Sequence, residues 1–505
     1  MANSKLLAKN TLFLYVRMLL IMAVSLYTSR VVLATLGFKD YGIYDVIGGV
    51  VAIFGFLNGA MSGASARFLS FELGRKDYRK LSEVFCVLVV SHLGIAICVL
   101  ILCETVGLWL ILDKLTLPES QMNIALCVFQ ISVLSSLLSI TLVPYTAILI
   151  SYENMKIYAY IGIAEALLKL GVVFLLIIIP GNKLLIYSIL LLAVQLFLNV
   201  FYRIYCTRNY QCCHFRLYKN RKLYSEIFGF VGGDLIGNIS VIAQGQGLNI
   251  LLNIFFGPVV NAARGITFQV QGAVQQFSNN FITAMRPQII KLYAENKISE
   301  MIRLVERGSC FSFYLLWILI LPIYFNMSYI LHLWLGKYPD YTEQFLYVVL
   351  AITLVNALKS PRSMVFHATG KVKFVNMVIG TMLIMTFPLS YIILSFGGSP
   401  VSVFVISLIM ILLTEFVSVF ILKRYVTFSA RRYLMTVHLR CFCVAVLSLV
   451  VPYWCHHRLP DESFLAFFIN VIVSFLSVAI VVLSVGIDKN TRTYVFEFIK
   501  RKIFN

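Results

Sequence analysis

Charge is scarce in this chain. Only 13% of its 505 residues are Asp, Glu, Lys or Arg, against about 25% in soluble domains. A soluble protein of this length has no means of covering its apolar side chains with so few charges. Acidic residues are the scarcer kind, 22 against 42 basic ones, which leaves a net charge of +20. A nucleic-acid binder would gather that excess on one exposed face. Here Lys and Arg lie in short clusters between apolar runs, which argues against a nucleic-acid partner. A glycine-rich P-loop is missing, so the chain is not expected to hydrolyse nucleotide itself.

The 11 cysteines form no framework. Cys212–Cys213 and the Cys441/Cys443 pair are the close ones, and neither is joined by a second Cys/His pair at zinc spacing, so they are read as membrane-helix thiols. His456–His457, an adjacent pair read without carboxylate or Cys partners, is weak ground for a metal. A cleavable leader is not expected, because the run after Lys5 and Lys9 is too long and carries arginine. Long outer loops are missing too; the longest, His332 to Glu343, is about a dozen residues. A membrane polymerase or ligase would display its catalytic residues on a larger loop, so no enzyme and no catalytic residue is expected.

What is present is apolar: 60% of residues are hydrophobic, and mean hydropathy is +0.88. A helix needs about 20 apolar residues to cross the hydrocarbon. Fourteen such runs are read, near 11–36, 43–69, 84–112, 122–150, 157–179, 184–206, 225–256, 261–285, 308–331, 344–367, 374–396, 400–422, 436–455 and 464–485. The expected fold is therefore an all-α integral membrane protein. With the N-terminus inside, most basic residues fall on the inner side, as the positive-inside rule requires. The outer loops receive Lys39, Lys114, Lys183, Arg264, Lys337 and Arg458. Both termini are then cytoplasmic.

Landmarks recur at a shared offset of about 217 to 223 residues. Leu36–Gly37 followed by Tyr41–Gly42–Ile43 matches Phe256–Gly257 followed by Arg264–Gly265–Ile266. Arg67 and Leu73 match Arg286 and Leu292, and Met155–Lys156–Ile157 matches Val372–Lys373–Phe374. A six-helix unit used twice follows, both copies pointing the same way, as in transporters that rock two bundles about a central site. The expected organisation is a first lobe at 1–206, a linker at 207–224, a second lobe at 225–422, and two additional helices with a basic tail at 423–505.

Polar residues deep in a span are costly and usually face a bundle interior or water. In the seventh span Asp234, Asn238, Gln246, Asn249 and Asn253 fall within about 120° of one another at 100° per residue. In the eighth, Gln269, Gln276, Asn280 and Thr283 fall within roughly 60°. Such amides serve either as hydrogen-bonding glue between helices or as a wetted wall whose donors and acceptors suit sugar hydroxyls. The cations read within spans, Arg17, Arg30, Arg67, Lys169 and Arg203, all precede residue 210, so the first lobe is expected to be the cationic one. Lys169 lies mid-span with Glu165 four residues earlier, an orientation that favours a neutralising pair. Arg17 and Arg30 point about 140° apart on a straight helix. Arg30 falls opposite Asn249 under the repeat offset, making it the better lumen residue. Arg67 and Arg203 are expected to snorkel. Asp234, Glu104, Glu165 and Glu415 are the intramembrane carboxylates able to hold a coupling proton or sodium ion; no other cofactor is expected.

Asn10–Thr11–Leu12 entering a long first helix, the Leu36–Gly37–Phe38–Lys39–Asp40–Tyr41–Gly42 turn, Gly74–Arg75–Lys76–Asp77 after the second span, and the Arg286–Pro287 exit together resemble the polysaccharide transporter family. Its members are O-antigen and lipid-linked oligosaccharide flippases of the multidrug/oligosaccharidyl-lipid/polysaccharide exporter superfamily. The resemblance implies an undecaprenyl-diphosphate-linked glycan moved across a bacterial inner membrane by alternating access, and two six-helix lobes about a lumen. Membrane lipids and other polysaccharide-assembly membrane proteins are the implied partners. The rival readings are a multidrug exporter, whose cationic substrates want an acidic lumen, and a lipid II flippase, which shares tail and diphosphate.

Overall fold

The computed structural model describes residues 2–152, 154–369, 372–459, 463–488 and 492–493; the side chains of residues 2–17 and 230–238, and of several others including Asn280 and Thr283, lie outside the described set. The described residues are helical with short connections. In chain order the α-helices are α1 (Ala2–Ile53), α2 (Phe56–Gly74), α3 (Tyr78–Leu102), α4 (Met122–Ser151), α5 (Met155–Ile178), α6 (Lys183–Asn209), α7 (Arg221–Phe256), α8 (Pro258–Ala294), α9 (Ile298–Phe325), α10 (Met327–Leu335), α11 (Thr342–Thr369), α12 (Val372–Ile384), α13 (Thr386–Ser395), α14 (Pro400–Lys423), α15 (Ala430–Tyr433), α16 (Arg440–His456) and α17 (Phe464–Val481).

Twelve described helical stretches are long and apolar enough to cross a membrane, consistent with a multi-pass membrane protein. The number fourteen counted from sequence is not confirmed. The two expected spans not among them are 43–69 and 261–285. The first is divided between the end of α1 and α2 by a turn at Phe54–Gly55, and α2 carries Asn58, Ser62, Ser65 and Arg67. The second lies in α8, which is continuous but loaded with Asn and Gln. Both are helices; their polar residues keep them below the apolarity of the rest. Under the repeat offset these two segments are each other's counterparts.

The duplication is written into the backbone. Gly37 interrupts α1 at φ 74°, ψ 171°, and Gly257, 220 positions later, ends α7 at φ 76°, ψ −177°. This region is open essentially to glycine alone. The turns after α2 and α8 match as well. Lys76 and Asn296 are left-handed at φ 58° and 57°. Lys76 N bonds to Leu73 O and Asp77 N to Glu72 O, while Asn296 N bonds to Tyr293 O and Lys297 N to Leu292 O. The offset is again 220. The matched glycines Gly42 and Gly265 sit at tight crossings of one junction. An added Cβ on Gly42 would lie 1.7 Å from Pro258 O, and one on Gly265 would lie 3.0 Å from an Asp45 carboxylate oxygen.

By packing, the chain forms two compact units: Met1–Ile266 with Ile384–Pro400, and Thr267–Leu383 with Val401–Asn505. The expected linker at 207–224, α7 and the first turns of α8 belong to the first unit, and the last two helices to the second. The first unit's core gathers α1 to α6 around Ile43, Val50, Phe85, Phe129 and Ile148, all buried. Here α13 packs on α7: a Cβ on Gly247 would meet Phe387 at 2.9 Å, and Gln244 donates to Thr386 at 3.3 Å. In the second unit α9 packs with α11, α16 and α17. Trp317 Nε1 donates to Ser448 Oγ at 2.8 Å, and Ser477 Oγ to Ser448 O at 2.8 Å. Burying tryptophan works here because its N–H has a partner.

Candidate functional site

In the first unit the richest polar ground is where the second leg of α1 meets α7 and α8. Leaving the Gly37 break, α1 brings Asp45 and Gly49 to a face crossed by Gln246, Asn249 and Asn253 of α7. The one-residue turn at Gly257 then folds α8 back so that Asn261 and Arg264 reach the same place. Asn261 Nδ2 donates to Asn249 Oδ1 at 2.7 Å and to Asn249 O at 2.8 Å. Asn253 Nδ2 donates to Asn261 Oδ1 at 3.0 Å, and Thr116 N donates to Asn253 Oδ1 at 2.9 Å. Asn249 Nδ2 reaches Asp45 O at 3.3 Å. Arg264 donates to Gly245 O at 2.9 Å and lies 3.5 Å from the Asp45 carboxylate. Asn249, Asn253 and Asn261 are wholly buried.

This geometry answers what half of the α7 stripe does. Asn249 and Asn253 satisfy one another's backbone and side-chain groups through Asn261, so they are hydrogen-bonded into the α1–α7–α8 junction. Burying an amide without partners costs roughly 2–7 kcal/mol, which explains why the three asparagines come together. Gln246 differs: its Oε1 is buried yet makes no hydrogen bond, beside a glycine, Gly49, whose added Cβ would lie 2.8 Å from it.

Arg30 is exposed on α1, Gln269 is half-buried and Gln276 exposed on α8. Lys169 is half-exposed on α5 and joined to Glu165 at 2.7 Å, so the two charges cancel. Glu104 lies in a π-helical turn, Cys103–Gly107, and accepts from Gln130 Nε2 at 3.2 Å. Arg203 donates to Asn199 at 2.6 Å and Thr141 at 2.9 Å rather than snorkelling. Arg17, Asp234, Asn238 and Asn280 fall outside the described side chains.

Arg362, buried in the second unit, corrects the expectation that charge within the spans belongs to the first lobe, and Arg264, although beyond residue 210, is buried in the first unit. Arg264, counted as an outer-loop residue, is 4% exposed within α8. Arg362 on α11 is among the largest fully buried side chains. It grips Glu415 of α14 with two parallel bonds of 2.7 and 2.6 Å and also donates to Ser418 at 2.6 Å. His438, in the π-helical turn Leu434–Leu439, holds the same carboxylate at 2.9 Å. The guanidinium lies 5.7 Å from the Tyr433 ring centre, and Tyr433 hydroxyl meets Ser309 Oγ at 3.2 Å. Glu415, a candidate for a coupling ion, is thus held in a closed ion cluster of the second unit. Arg362 sits one position after Pro361 and was not among the residues singled out from the sequence.

In the first unit a cavity of about 710 Å³ is lined by Tyr78, Arg79, Tyr152, Tyr210 and Arg216 among others. Cys212 is part of that wall, and Cys86 accepts from Arg216 N at 3.3 Å. Among the described residues no group of three or more His, Cys, Asp or Glu is placed to hold a metal.

No protein-family model matches the sequence, and no curated protein matches it. Solved structures do. A structure of the lipid II flippase MurJ in an inward closed conformation aligns over 98% of this chain and 100% of its own, with a TM-score of 0.68 and 14% identity. The MATE multidrug transporter DinF-BH aligns over 83% of this chain and 95% of its own, TM-score 0.64, at 16% identity. An inward-facing multidrug resistance MATE family transporter of the MOP superfamily aligns over 78% and 92%, TM-score 0.60, at 11% identity. The chain has the fold of the MOP transporters. At these identities the likeness is one of fold.

Proposed function

We propose that this protein is a flippase that carries an undecaprenyl-diphosphate-linked oligosaccharide across the bacterial inner membrane by alternating access. The observation that carries the reading is the extent of the fold likeness. The match to the lipid II flippase structure takes in 98% of the chain, while the two MATE matches leave about a fifth of it unaccounted for.

The physical task fits the chemistry of the chain. A diphosphate brings about two negative charges, and moving one bare ion into low dielectric costs tens of kcal/mol. The glycan hydroxyls add more if unpaired, whereas the polyprenyl tail is at home in lipid. A polar route lined by amides and cations lowers the first two costs. Arg30 and Gln276, both exposed, and Gln269 and Gln246 are the residues we assign to it, with Arg17, Asn238 and Asn280 as further members. Arginine holds phosphate oxygens bidentately. Lys169 contributes only if the incoming diphosphate displaces Glu165. Coupling by a proton or sodium ion is assigned to Asp234 or Glu104 in preference to Glu415 and Glu165, whose charges are already matched by Arg362 and Lys169.

The test is translocation in reconstituted vesicles, with a labelled undecaprenyl-diphosphate oligosaccharide, lipid II and a cationic dye offered in parallel. Glycan translocation slowed by Arg30→Gln supports the proposal. Dye export without movement of either lipid-linked substrate overturns it in favour of a drug exporter, the second reading that the MATE likeness supports. Movement of lipid II alone assigns the chain to peptidoglycan synthesis instead.

A further inference from the structure

The second unit has a cavity at the end that the charge alternation assigns to the outside. Its volume is about 310 Å³, the lower end of the range of about 300–1,000 Å³ for small-molecule sites. It is built by the helix pair appended to the duplicated core: α16 and α17 close it against the end of α9 and the start of α10. Every residue of its wall is buried or half-buried.

The wall combines two kinds of surface. Aromatic rings form one: Tyr329 and Phe467 lie 5.0 Å apart at 31°, and Phe325 and His456 lie 5.6 Å apart at 46°. Amides form the other. Asn470 is 3% exposed and Asn326 is 7% exposed. Asn326 Nδ2 is used by Pro322 O at 2.8 Å. Asn470 Nδ2 has only long contacts, 3.4 Å each, to Asn326 Oδ1 and His456 Nδ1. Asn470 Oδ1 is buried and bonded to nothing. Such an acceptor is costly to leave unmade, so it marks a place where a donor belongs. Among the described residues, the titratable side chains that line the cavity are His456 and the phenols of Tyr329 and Tyr347.

We infer that this cavity is a binding site for one uncharged pyranose ring. Such a ring has an apolar C–H face to lie on aromatic rings and hydroxyls that donate to a carbonyl such as Asn470 Oδ1. An acyl chain leaves Asn470 unsatisfied, and an anion or cation finds no counter-charge in the described wall. The cavity admits a single hexose or N-acetylhexosamine rather than a chain. The inference requires no particular substrate for the transport route and so does not rest on the function proposed above.

Saturation-transfer NMR on the full-length protein in lipid nanodiscs tests it, avoiding detergents with sugar headgroups. The probes are the methyl pyranosides of glucose, galactose and N-acetylglucosamine, with methyl glucuronide as the charged control. At least one neutral glycoside should bind saturably with a Kd of about 1–10 mM, a range typical of weak contacts. Methyl glucuronide should bind at least about tenfold more weakly, the factor a missing counter-charge readily supplies. Phe467→Ala and Asn470→Leu should each weaken binding by about tenfold or more. Ala466→Leu, which fills the cavity while adding apolar burial, should abolish it and stands in for either variant that fails to fold. No saturable signal from any neutral glycoside, equal binding of the glucuronide, or binding indifferent to these substitutions would overturn the inference. Glycan translocation without pyranoside binding sinks this site alone. Pyranoside binding without translocation leaves it standing and removes the flippase reading.

Discussion

Removing Arg362 tests how the second unit is held together. Its side chain is fully buried and Glu415 is 1% exposed, so neither charge is solvated when its partner goes. Arg362→Met leaves a buried carboxylate with His438 as its hydrogen-bond partner and Lys359 nearby; Glu415→Leu leaves a buried guanidinium with Ser418 and Tyr433. Breaking a buried pair from one side costs about 3–5 kcal/mol. For a unit of roughly 200 residues, about 2–4 °C per kcal/mol turns that into an apparent Tm drop of roughly 6–20 °C. Replacing both partners removes the uncompensated charge, and buried pairs exchanged for apolar residues are often neutral or stabilising. The double variant should therefore recover most of the loss. The assay is thermal unfolding of purified protein followed by size exclusion, run as a double-mutant cycle. A double variant that falls by the sum of the singles, or singles that leave Tm unmoved, would refute the reasoning.

Other consequences are equally open to measurement. Asn261→Leu strands partners on Asn249 and Asn253 and should cost about 1–3 kcal/mol for each buried group left unpaired, read in the same melt; a neutral variant would show the junction to be wet. Gly257→Ala and Gly37→Ala place a Cβ in a backbone region that costs about 1–3 kcal/mol, and the two losses should be similar because the two turns share one geometry. Gly42→Ala, whose Cβ has no room beside Pro258 O, should be worse than Gly48→Ala, where the Cβ meets open space; equal expression and Tm would contradict the packing. At the turn after α8, Lys297 and then Lys291 hold the exposed Glu295 carboxyl below its usual range. That contribution is present above the ordinary carboxylate pKa and is lost as pH falls through the lowered one. The small stability difference between wild type and Glu295→Gln should vanish on acidification; a difference that grows would reverse the sign.

How much of this was legible along the chain varies by residue. The repeat was, because glycines needed at a backbone turn or a tight crossing have no substitute: Gly37, Gly42, Gly257 and Gly265 appear as letters before they appear as angles. The Lys169–Glu165 pair was legible too, since a four-residue spacing on one helix is a contact. Arg362 and Arg264 were not. A cation near the end of an apolar run reads as interfacial until a carboxylate from another helix is found against it, and Glu415 lies 53 positions from Arg362. The α7 amides fell between. Their shared face was visible, but Asn261 lay beyond a turn and off the stripe, so its use of Asn249 and Asn253 as partners was hidden.

The chain's own letters determined that it is an all-helical membrane protein built on a doubled helical unit, because scarcity of charge, the length of apolar runs and obligatory glycines act locally or through composition. Only the tertiary structure decided which polar groups satisfy one another and which, like Asn470 Oδ1, are left with none. Hydrogen bonds and ion pairs join residues across tens to hundreds of positions, and their existence depends on distances of a few tenths of an ångström that no periodicity encodes.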